Sequence, residues 1–286
     1  MIKKINYFLQ TLLTYLIFLI ARILGIKISR YIFSFLFSIF GPFFKSKNII
    51  TKNLQIFSSD ITFQEKNKII SNMWKNYGMT FIEYIFLDNF RKKNDQITID
   101  GEINLLSNTK NNKPVIFVSG HFANFELMSM EISKRNIKLA TIYRPLNNFF
   151  LNPLMEFLRK KYVCKNQIKK GINGVREAIQ YIKNDHSIAL MIDQRVSEGE
   201  KVNFFGQPAL TTTLPAQLAT KYNLNIIPVF IKRTEENRFY IEFQNEINPN
   251  NFENKLALTN ELNKVLEKMI VKNPNQWIWT HNRWKL

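Results

Sequence analysis

The sequence of 286 residues contains one cysteine and three histidines. With Cys164 alone, an intramolecular disulfide framework and a cysteine-based zinc site are both excluded. The histidines are scattered along the chain, which argues against a histidine-rich metal site. We therefore expect no metal, no other cofactor, and folding in a reducing compartment.

Acidic residues are also scarce, since 22 Asp and Glu face 40 Lys and Arg, for a net charge of +18. A balance of this kind is typical of proteins that bind nucleic acid or anionic membranes, and it also arises from a composition rich in Lys, Asn and Ile. Because no RNP-like or zinc-finger pattern is present, we expect no nucleic acid partner. The length suffices for a substantial core in one large domain with an accessory segment.

The segment Ile5–Ala21 has no charged residue in seventeen positions. About 20 apolar residues cross a bilayer, so this is the short end of a spanning helix. A cleaved signal peptide is the alternative, but no small-x-small cleavage site follows, and we expect a retained anchor. The second apolar run, Tyr31–Phe44, is too short to span, and we expect an interfacial or buried helix that ends at Gly41-Pro42. Both spanning and lying flat on the membrane remain open for the first segment.

Positive charge is heavier after the anchor than before it. Lys3 and Lys4 precede the apolar run, six cations follow it between residues 22 and 52, and the first acidic residue is Asp60. This asymmetry places the main domain on the cytoplasmic side. We divide the chain into a membrane anchor with an interfacial segment, residues 1–45, and a main domain, residues 46–286.

Strands and helices alternate in the main domain. The predicted strands are Gln96–Asp100, Pro114–Ser119, Leu139–Tyr143, Ile188–Ile192, Asn225–Ile231 and Phe239–Phe243, the last two joined as a hairpin. The predicted helices are residues 60–87, Phe122–Arg135, Phe149–Lys161, Gly174–Lys183, Thr213–Tyr222 and Glu253–Lys272. This order predicts an α/β fold with a single mixed, mostly parallel sheet flanked by helices.

His121 and Glu126 stand directly after a predicted strand and a glycine. A neutral imidazole can take the proton of an attacking hydroxyl, and a carboxylate on its other nitrogen holds it in one tautomer. At positions i and i+5 of a regular helix the two side chains point about 140° apart. They can meet only if His121 precedes the helix, which Gly120 would permit through an unusual backbone conformation. The spacing alone also fits a histidine that caps a helix, with Glu126 on a solvated face.

Two further polar residues follow predicted strands. Arg144 comes after Tyr143, and Asp193 comes after Ile192. Ligands of α/β sheets bind beyond the carboxyl ends of the strands, so these residues and His121 mark one candidate site.

The run Gly-His-Phe-Ala-Asn-Phe-Glu, residues 120–126, resembles the His-x4-Asp/Glu motif of the lysophospholipid-type acyltransferases, in the form seen in the lipid A biosynthesis acyltransferases. Other segments match this family in the same order. They are Tyr143-Arg144-Pro145, Arg159, Asp193-Gln194, Phe204-Phe205-Gly206 with Thr211-Thr212-Thr213, and the tail Trp277–Trp284.

The resemblance implies an acyl transfer in which His121 is the general base and Glu126 orients it. The acyl chain would come from acyl carrier protein, and a hydroxyl of a lipid A precursor would accept it at the cytoplasmic face of the inner membrane. Arg144, Arg159, Asp193, Gln194 and Thr211 would bind substrate, with Arg159 stabilising the oxyanion or an anionic group. Neither a metal nor a covalent intermediate is needed.

Two basic segments have alternative interpretations. Lys160, Lys161, Lys165, Lys169 and Lys170 form either a docking surface for acidic acyl carrier protein or a solvated face. The tail Trp277–Trp284 is either an interfacial anchor or part of the core. Rival functions are acylation of a glycerophospholipid or another glycolipid, and a basic membrane-peripheral binding protein without catalysis.

Overall fold

The computed structural model describes residues 2–44, 47–93, 95–109 and 113–286. Its α-helices are α1 (Ile2–Phe44), α2 (Lys47–Phe57), α3 (Phe63–Glu83), α4 (Leu87–Lys92), α5 (Glu102–Thr109), α6 (Glu126–Lys134), α7 (Asn152–Leu158), α8 (Ile172–Lys183), α9 (Leu214–Tyr222) and α10 (Lys255–Lys272). Its strands are β1 (Ile97–Asp100), β2 (Ile116–Ser119), β3 (Leu139–Tyr143), β4 (Asn166–Lys169), β5 (Ser187–Met191), β6 (Glu200–Phe204), β7 (Gln207–Thr211), β8 (Ile226–Arg233) and β9 (Phe239–Phe243).

Seven strands form one mixed sheet in the order β1-β9-β8-β2-β5-β3-β4. Only the β8–β9 pair is antiparallel, as the predicted hairpin requires. Strand β2 is buried at every position, which suits a central strand covered on both faces. The α/β prediction, with a mostly parallel sheet flanked by helices, is therefore confirmed.

The parallel strands β8, β2, β5, β3 and β4 have their carboxyl ends along one edge of the sheet. In register, Ser119 at the end of β2 lies beside Met191 at the end of β5. Tyr143 at the end of β3 lies beside Lys169 at the end of β4. This carboxyl edge therefore collects the residues that follow each strand.

Strand β4 and the hairpin β6–β7 were not predicted. Strand β4 is the polar edge strand Asn-Gln-Ile-Lys, which has no alternating apolar pattern. In the hairpin, Phe205 and Gly206 form a two-residue turn in which both have positive φ, 51° and 71°. Such turns join tight hairpins, and glycine at the second position favours them.

Helix α1 is the one helix in the described ranges that is long and apolar enough to cross a membrane. It contains the predicted anchor segment, but Gly25, with φ of 79°, breaks it into two halves. The second half packs on α3 so closely that a Cβ atom on Gly78 would lie 2.1 Å from the carbonyl oxygen of Phe33. The predicted end at Gly41-Pro42 was wrong, since the helix continues through Pro42 to Phe44.

The first half of α1 is attached to the main domain along one face. Phe18 is buried against Phe81, and Arg22 forms an ion pair of 2.6 Å with Asp88. The opposite face is exposed, with Leu19 at 62% and Ile23 at 79%. This half of the helix therefore presents an apolar surface on one side while it contacts the protein on the other.

Candidate active site

His121 and Asp193 form a hydrogen-bonded pair at the carboxyl edge of the sheet. The imidazole Nδ1 lies 2.7 Å from Asp193 Oδ1, and the backbone N–H of His121 donates to Asp193 Oδ2 at 2.8 Å. The two residues come together because each stands two positions after a paired strand end, Ser119 and Met191. Since a carboxylate only accepts, Nδ1 carries a proton, and in the neutral imidazole the free lone pair lies on Nε2.

The environment of Asp193 keeps it ionised. Its side chain is fully buried, and the indole N–H of Trp277 donates to Oδ2 at 2.9 Å. Burial alone would raise the pKa of Asp193, but His121 and the indole outweigh it and hold the pKa below its usual value. Asp193 thus contacts His121 and does not line the groove described below, whereas we predicted that it binds substrate.

Glu126 does not supply the hydrogen bond to Nδ1 of His121 that we predicted. Helix α6 begins only at Glu126, and the preceding residues 121–125 form a loop in which Ala123 has φ of 44°. The unusual backbone therefore falls on Ala123 and not on Gly120. Gly120 is needed for space instead, because a Cβ atom there would lie 2.8 Å from the ring of Phe122.

Glu126 instead binds Arg159 and Tyr84. Glu126 Oε1 accepts from Arg159 Nε at 2.8 Å and from the Tyr84 hydroxyl at 2.6 Å. Burial would lower the pKa of Arg159, but Glu126 outweighs it and raises that pKa, so the guanidinium stays charged. Arg159 begins a π-type turn after α7, a feature that often marks functional positions.

A groove of about 520 Å³ opens beside these groups. His121, Glu126 and Arg159 lie in its wall, together with Arg144, Lys170 and Gln194. Nη1 of Arg159 is buried and has no hydrogen-bond partner among the described residues. Five of the residues that we proposed for the site therefore line one groove: His121, Glu126, Arg144, Arg159 and Gln194. The predicted His121–Glu126 pair is not among the contacts, because His121 meets Asp193 and Glu126 meets Arg159.

Arg144 and Lys170 make the mouth of the groove cationic. They follow the neighbouring strands β3 and β4, and the backbone N–H of Lys170 donates to the carbonyl of Tyr143 at 2.8 Å. Partial burial and the nearby Arg144 lower the pKa of Lys170. Two cations that face one groove suit an anionic ligand.

Thr211 lies outside the groove, contrary to our prediction. It is the last residue of β7, 1% exposed, and accepts a hydrogen bond from Arg283 Nη2 at 2.7 Å. Because the next residue leaves the strand, Thr212 lines the groove in its place.

An apolar chamber of about 310 Å³ lies next to His121. Phe37, Phe81 and Ile278 are among its walls, and His121 and Phe125 border both this chamber and the groove. The ring of Phe125 packs edge-on against the imidazole, with centroids 4.6 Å apart. The candidate base therefore stands between a polar, cationic space and an apolar one.

The sequence profile of the bacterial lipid A biosynthesis acyltransferases matches residues 2–286. The chain belongs to this family. It is 27% identical over 258 residues to the lipid A biosynthesis palmitoleoyltransferase of Escherichia coli K12, covering 85% of this chain and 80% of that protein. It is 22% identical over 246 residues to the lipid A biosynthesis lauroyltransferase of the same strain, covering 83% and 78%. The lipid A biosynthesis acyltransferase of Haemophilus influenzae is 23% identical over 247 residues.

The C-terminal tail of this acyltransferase belongs to the core. Trp277, Trp279 and Trp284 are at most 6% exposed, and their rings pack on one another and on Phe204. Of the two interpretations of the tail, core packing is the one that the structure confirms. Through Trp277, the tail also supports Asp193.

Sequence reasoning missed two groups of this acyltransferase's site. Tyr84 lies in a short 3-10 turn, Tyr84–Phe86, and no local motif marks it. We predicted Thr211 in place of Thr212. The two threonines can be distinguished only by knowing where strand β7 ends and which way its side chains point. Within the described ranges, no three His, Cys, Asp or Glu side chains come together to hold a metal ion.

Proposed function

We propose that this acyltransferase moves a fatty acyl chain from acyl carrier protein to a hydroxyl of a lipid A precursor. The observation that carries the proposal is the position of His121, which Asp193 orients, between a cationic groove and an apolar chamber. The names of the relatives support the acceptor class. No covalent enzyme intermediate enters this mechanism.

His121 acts as the general base. Its Nδ1–H stays hydrogen-bonded to Asp193, and Nε2 removes the proton from the acceptor hydroxyl as that oxygen attacks the thioester carbonyl. The tetrahedral intermediate collapses, the carbon–sulfur bond breaks, and the thiolate takes the proton back from Nε2. The imidazolium that forms in between is stabilised by the ionised Asp193.

Arg159 stabilises the negative charge of the intermediate or of a bound anionic group. Glu126 and Tyr84 hold its guanidinium from one side, while Nη1 has no protein partner among the described residues. Glu126 thus positions Arg159 instead of His121. A donor held in place before the reaction begins costs little reorganisation during it.

The two cavities divide the substrates by polarity. The apolar chamber receives the acyl chain, since most of its exposed wall surface is apolar. Arg144 and Lys170 bind a phosphate of either substrate at the mouth of the groove. Acyl carrier protein, an acidic partner, would approach the same basic side.

We place the protein on the cytoplasmic face of the inner membrane. The excess of cations after the apolar segment supports this orientation. The exposed face of the first half of α1 supports membrane contact close to the domain. Residues 1–45 then act as anchor and 46–286 as catalytic domain.

The decisive experiment incubates the purified protein with mixed acyl carrier protein thioesters and a lipid A precursor, and reads the product masses. We expect one added acyl chain on the precursor. Lysophosphatidic acid serves as the competing acceptor. Acylation of it in preference to the precursor would contradict the proposal.

The base is tested by His121→Ala, with His186→Ala as the matched control, because the His186 side chain contacts only its sequence neighbours Asn184 and Tyr181 in the contacts of the described residues and lines neither the groove nor the chamber. His121→Ala should lower kcat/KM by at least about 10²-fold, and the control should leave it unchanged. Asp193→Asn should lower kcat/KM by nearly as much as His121→Ala does. A folded His121→Ala protein with full turnover would exclude this mechanism.

A further inference from the structure

A second cationic cavity, of about 1100 Å³, lies at the other end of the carboxyl edge of the sheet. Its walls come from the second half of α1, from α3, from the turn between β8 and β9, from the residues just before β1 and from the turn after α10. It shares Asn76 and Gln276 with the apolar chamber but contains none of the residues assigned to catalysis. We call it the hairpin cavity.

The floor of the hairpin cavity has one cation more than it has carboxylates. Arg30 and Arg233 line it, and both bind the single buried carboxylate of Glu83 behind it. The Arg30 Nε–Glu83 Oε1 distance is 2.6 Å, and Arg233 Nη2 donates to Glu83 Oε2 at 3.0 Å. A buried positive charge without a counter-ion is costly, so an anion from outside would stabilise this floor.

Arg30 has an unused donor. The residue is 8% exposed, and its buried Nη2 has no hydrogen-bond partner among the described residues. Gln96 Oε1 and Asn275 Oδ1, in the wall of the same cavity, are also buried and unpaired. An anionic ligand that also carries hydroxyl groups would accept a hydrogen bond from the unpaired arginine donor and donate hydrogen bonds to the two unpaired amide oxygens.

The rim adds further positive charge. Lys27, Lys75 and Lys93 are exposed and have no ion pair in the described ranges, whereas Arg238 is paired with Glu236. Asp95 and Glu235 also line the rim, so six cations and three carboxylates surround the cavity. With Glu83 counted, the excess is two positive charges, which favours an anionic ligand.

The position of the cavity indicates where such a phosphate comes from. Lys27 and Arg30 follow closely after Gly25, where the exposed apolar half of α1 ends. Ile23, Ile28 and Tyr31 at this junction are 79%, 51% and 77% exposed. A ligand whose phosphate enters the cavity would lay its apolar chains along these side chains.

We propose that the hairpin cavity binds the phosphate of an anionic phospholipid with a hydroxylated headgroup, such as phosphatidylglycerol. The phosphate is held by Arg30 on the floor and by Lys27 and Lys75 on the rim. Gln96 and Asn275 accept hydrogen bonds from the headgroup hydroxyls. This site stands apart from the transfer reaction and does not rest on its substrate assignment.

The test uses the full chain in nonionic detergent and native mass spectrometry to count bound lipid. The probes are phosphatidylglycerol, phosphatidylcholine and inorganic phosphate. We expect saturable retention of phosphatidylglycerol, little retention of phosphatidylcholine, and competition by inorganic phosphate. Inorganic phosphate that binds while phosphatidylglycerol does not would overturn the lipid assignment, and saturable binding of neither would overturn the site.

Lys27→Ser with Lys75→Ser should weaken phosphatidylglycerol binding by at least about tenfold, since each lysine near a lipid surface contributes measurably. Lys183→Ser with Lys201→Ser is the matched control, because these exposed lysines remove equal charge and line none of the cavities described above. Equal losses in both double variants would reduce the effect to general electrostatics and overturn the proposal. Arg30→Lys, which keeps a cation for Glu83, should weaken binding with the rim intact.

Discussion

Glu83 and Glu126 are two buried carboxylates that bind arginine side chains. Each lies on one of two segments of the chain, and each segment also supplies a hydrogen-bond donor to the carboxylate of the other. The end of α3 supplies Glu83, and Tyr84 follows it; the loop before α6 supplies Asn124, and the first residue of α6 is Glu126. Asn124 donates to Glu83 at 2.9 Å, while Tyr84 donates to Glu126 at 2.6 Å. The two segments are thus joined by two hydrogen bonds. The cluster of Glu83 and its arginines lies on the side of the hairpin cavity, and the cluster of Glu126 and Arg159 lies on the side of the groove.

The clusters differ in their charge count and in their access to solvent. Glu83 is fully buried and serves two guanidiniums, whereas Glu126 is 8% exposed and serves one. A lone carboxylate between two arginines is needed for folding, since its loss leaves two buried cations unpaired. A one-to-one pair at the edge of a groove can instead hold a cation in place for a substrate. We therefore expect the ion pairs of Glu83 to serve stability and the ion pair of Glu126 to serve the positioning of Arg159.

The largest expected effect is on stability. Glu83→Gln should lower the free energy of unfolding by about 3–5 kcal/mol, because Arg30 and Arg233 lose their counter-ion. Chemical denaturation followed by circular dichroism measures it. Glu126→Gln is the comparison, and an equal or larger loss there would remove the distinction between the clusters.

The next effect is on activity. Glu126→Gln should lower kcat by about 10²-fold, a change of about 2.7 kcal/mol in the barrier, because Arg159 is no longer fixed beside His121. Product masses after timed incubation measure it. Glu131→Gln, which removes a carboxylate paired with Lys134 and Arg135 on the same helix, is the control. If both variants lose activity alike, Glu126 has no special role.

The smallest effect is a dependence on pH. Burial alone would raise the pKa of Glu83, but Arg233 and Arg30 outweigh it and hold the pKa below 4.5. Its stabilisation is therefore complete above the unfolded pKa and is lost as the pH falls through the lower, folded pKa. The stability difference between wild type and Glu83→Gln should shrink below about pH 4.5, by at most about 1.4 kcal/mol per pH unit. A constant difference in denaturation series down to about pH 3.5 would contradict this.

Local patterns were enough to predict most of the sheet. Strands β3 and β9 begin and end where the apolar alternation placed them, and the β8–β9 hairpin follows its turn. Strand β4 was not predicted, because an edge strand needs few apolar residues and therefore shows no apolar pattern. The order of the strands in the sheet could not be predicted in this way, since no local pattern indicates that β2 lies between β8 and β5.

The candidate site shows the same division. His121, Arg144 and Asp193 were placed at strand ends correctly, because each follows a short apolar run. Which carboxylate meets His121 depends on strand order, and the partner lies 72 residues away instead of five. Glu126 is the nearer in sequence, but α6 begins there, and Arg159 and Tyr84 take up its carboxylate.

The indole that donates a hydrogen bond to Asp193 is an intrinsic fluorescent probe of the candidate site. The chain has four tryptophans, and three of them, Trp277, Trp279 and Trp284, lie in one buried cluster. Because Trp277 Nε1–H donates directly to Asp193, we expect its emission to change with the charge of that carboxylate. Intrinsic fluorescence, compared between wild type and Asp193→Asn, should therefore report on the electrostatic state of the His121–Asp193 pair without any attached label.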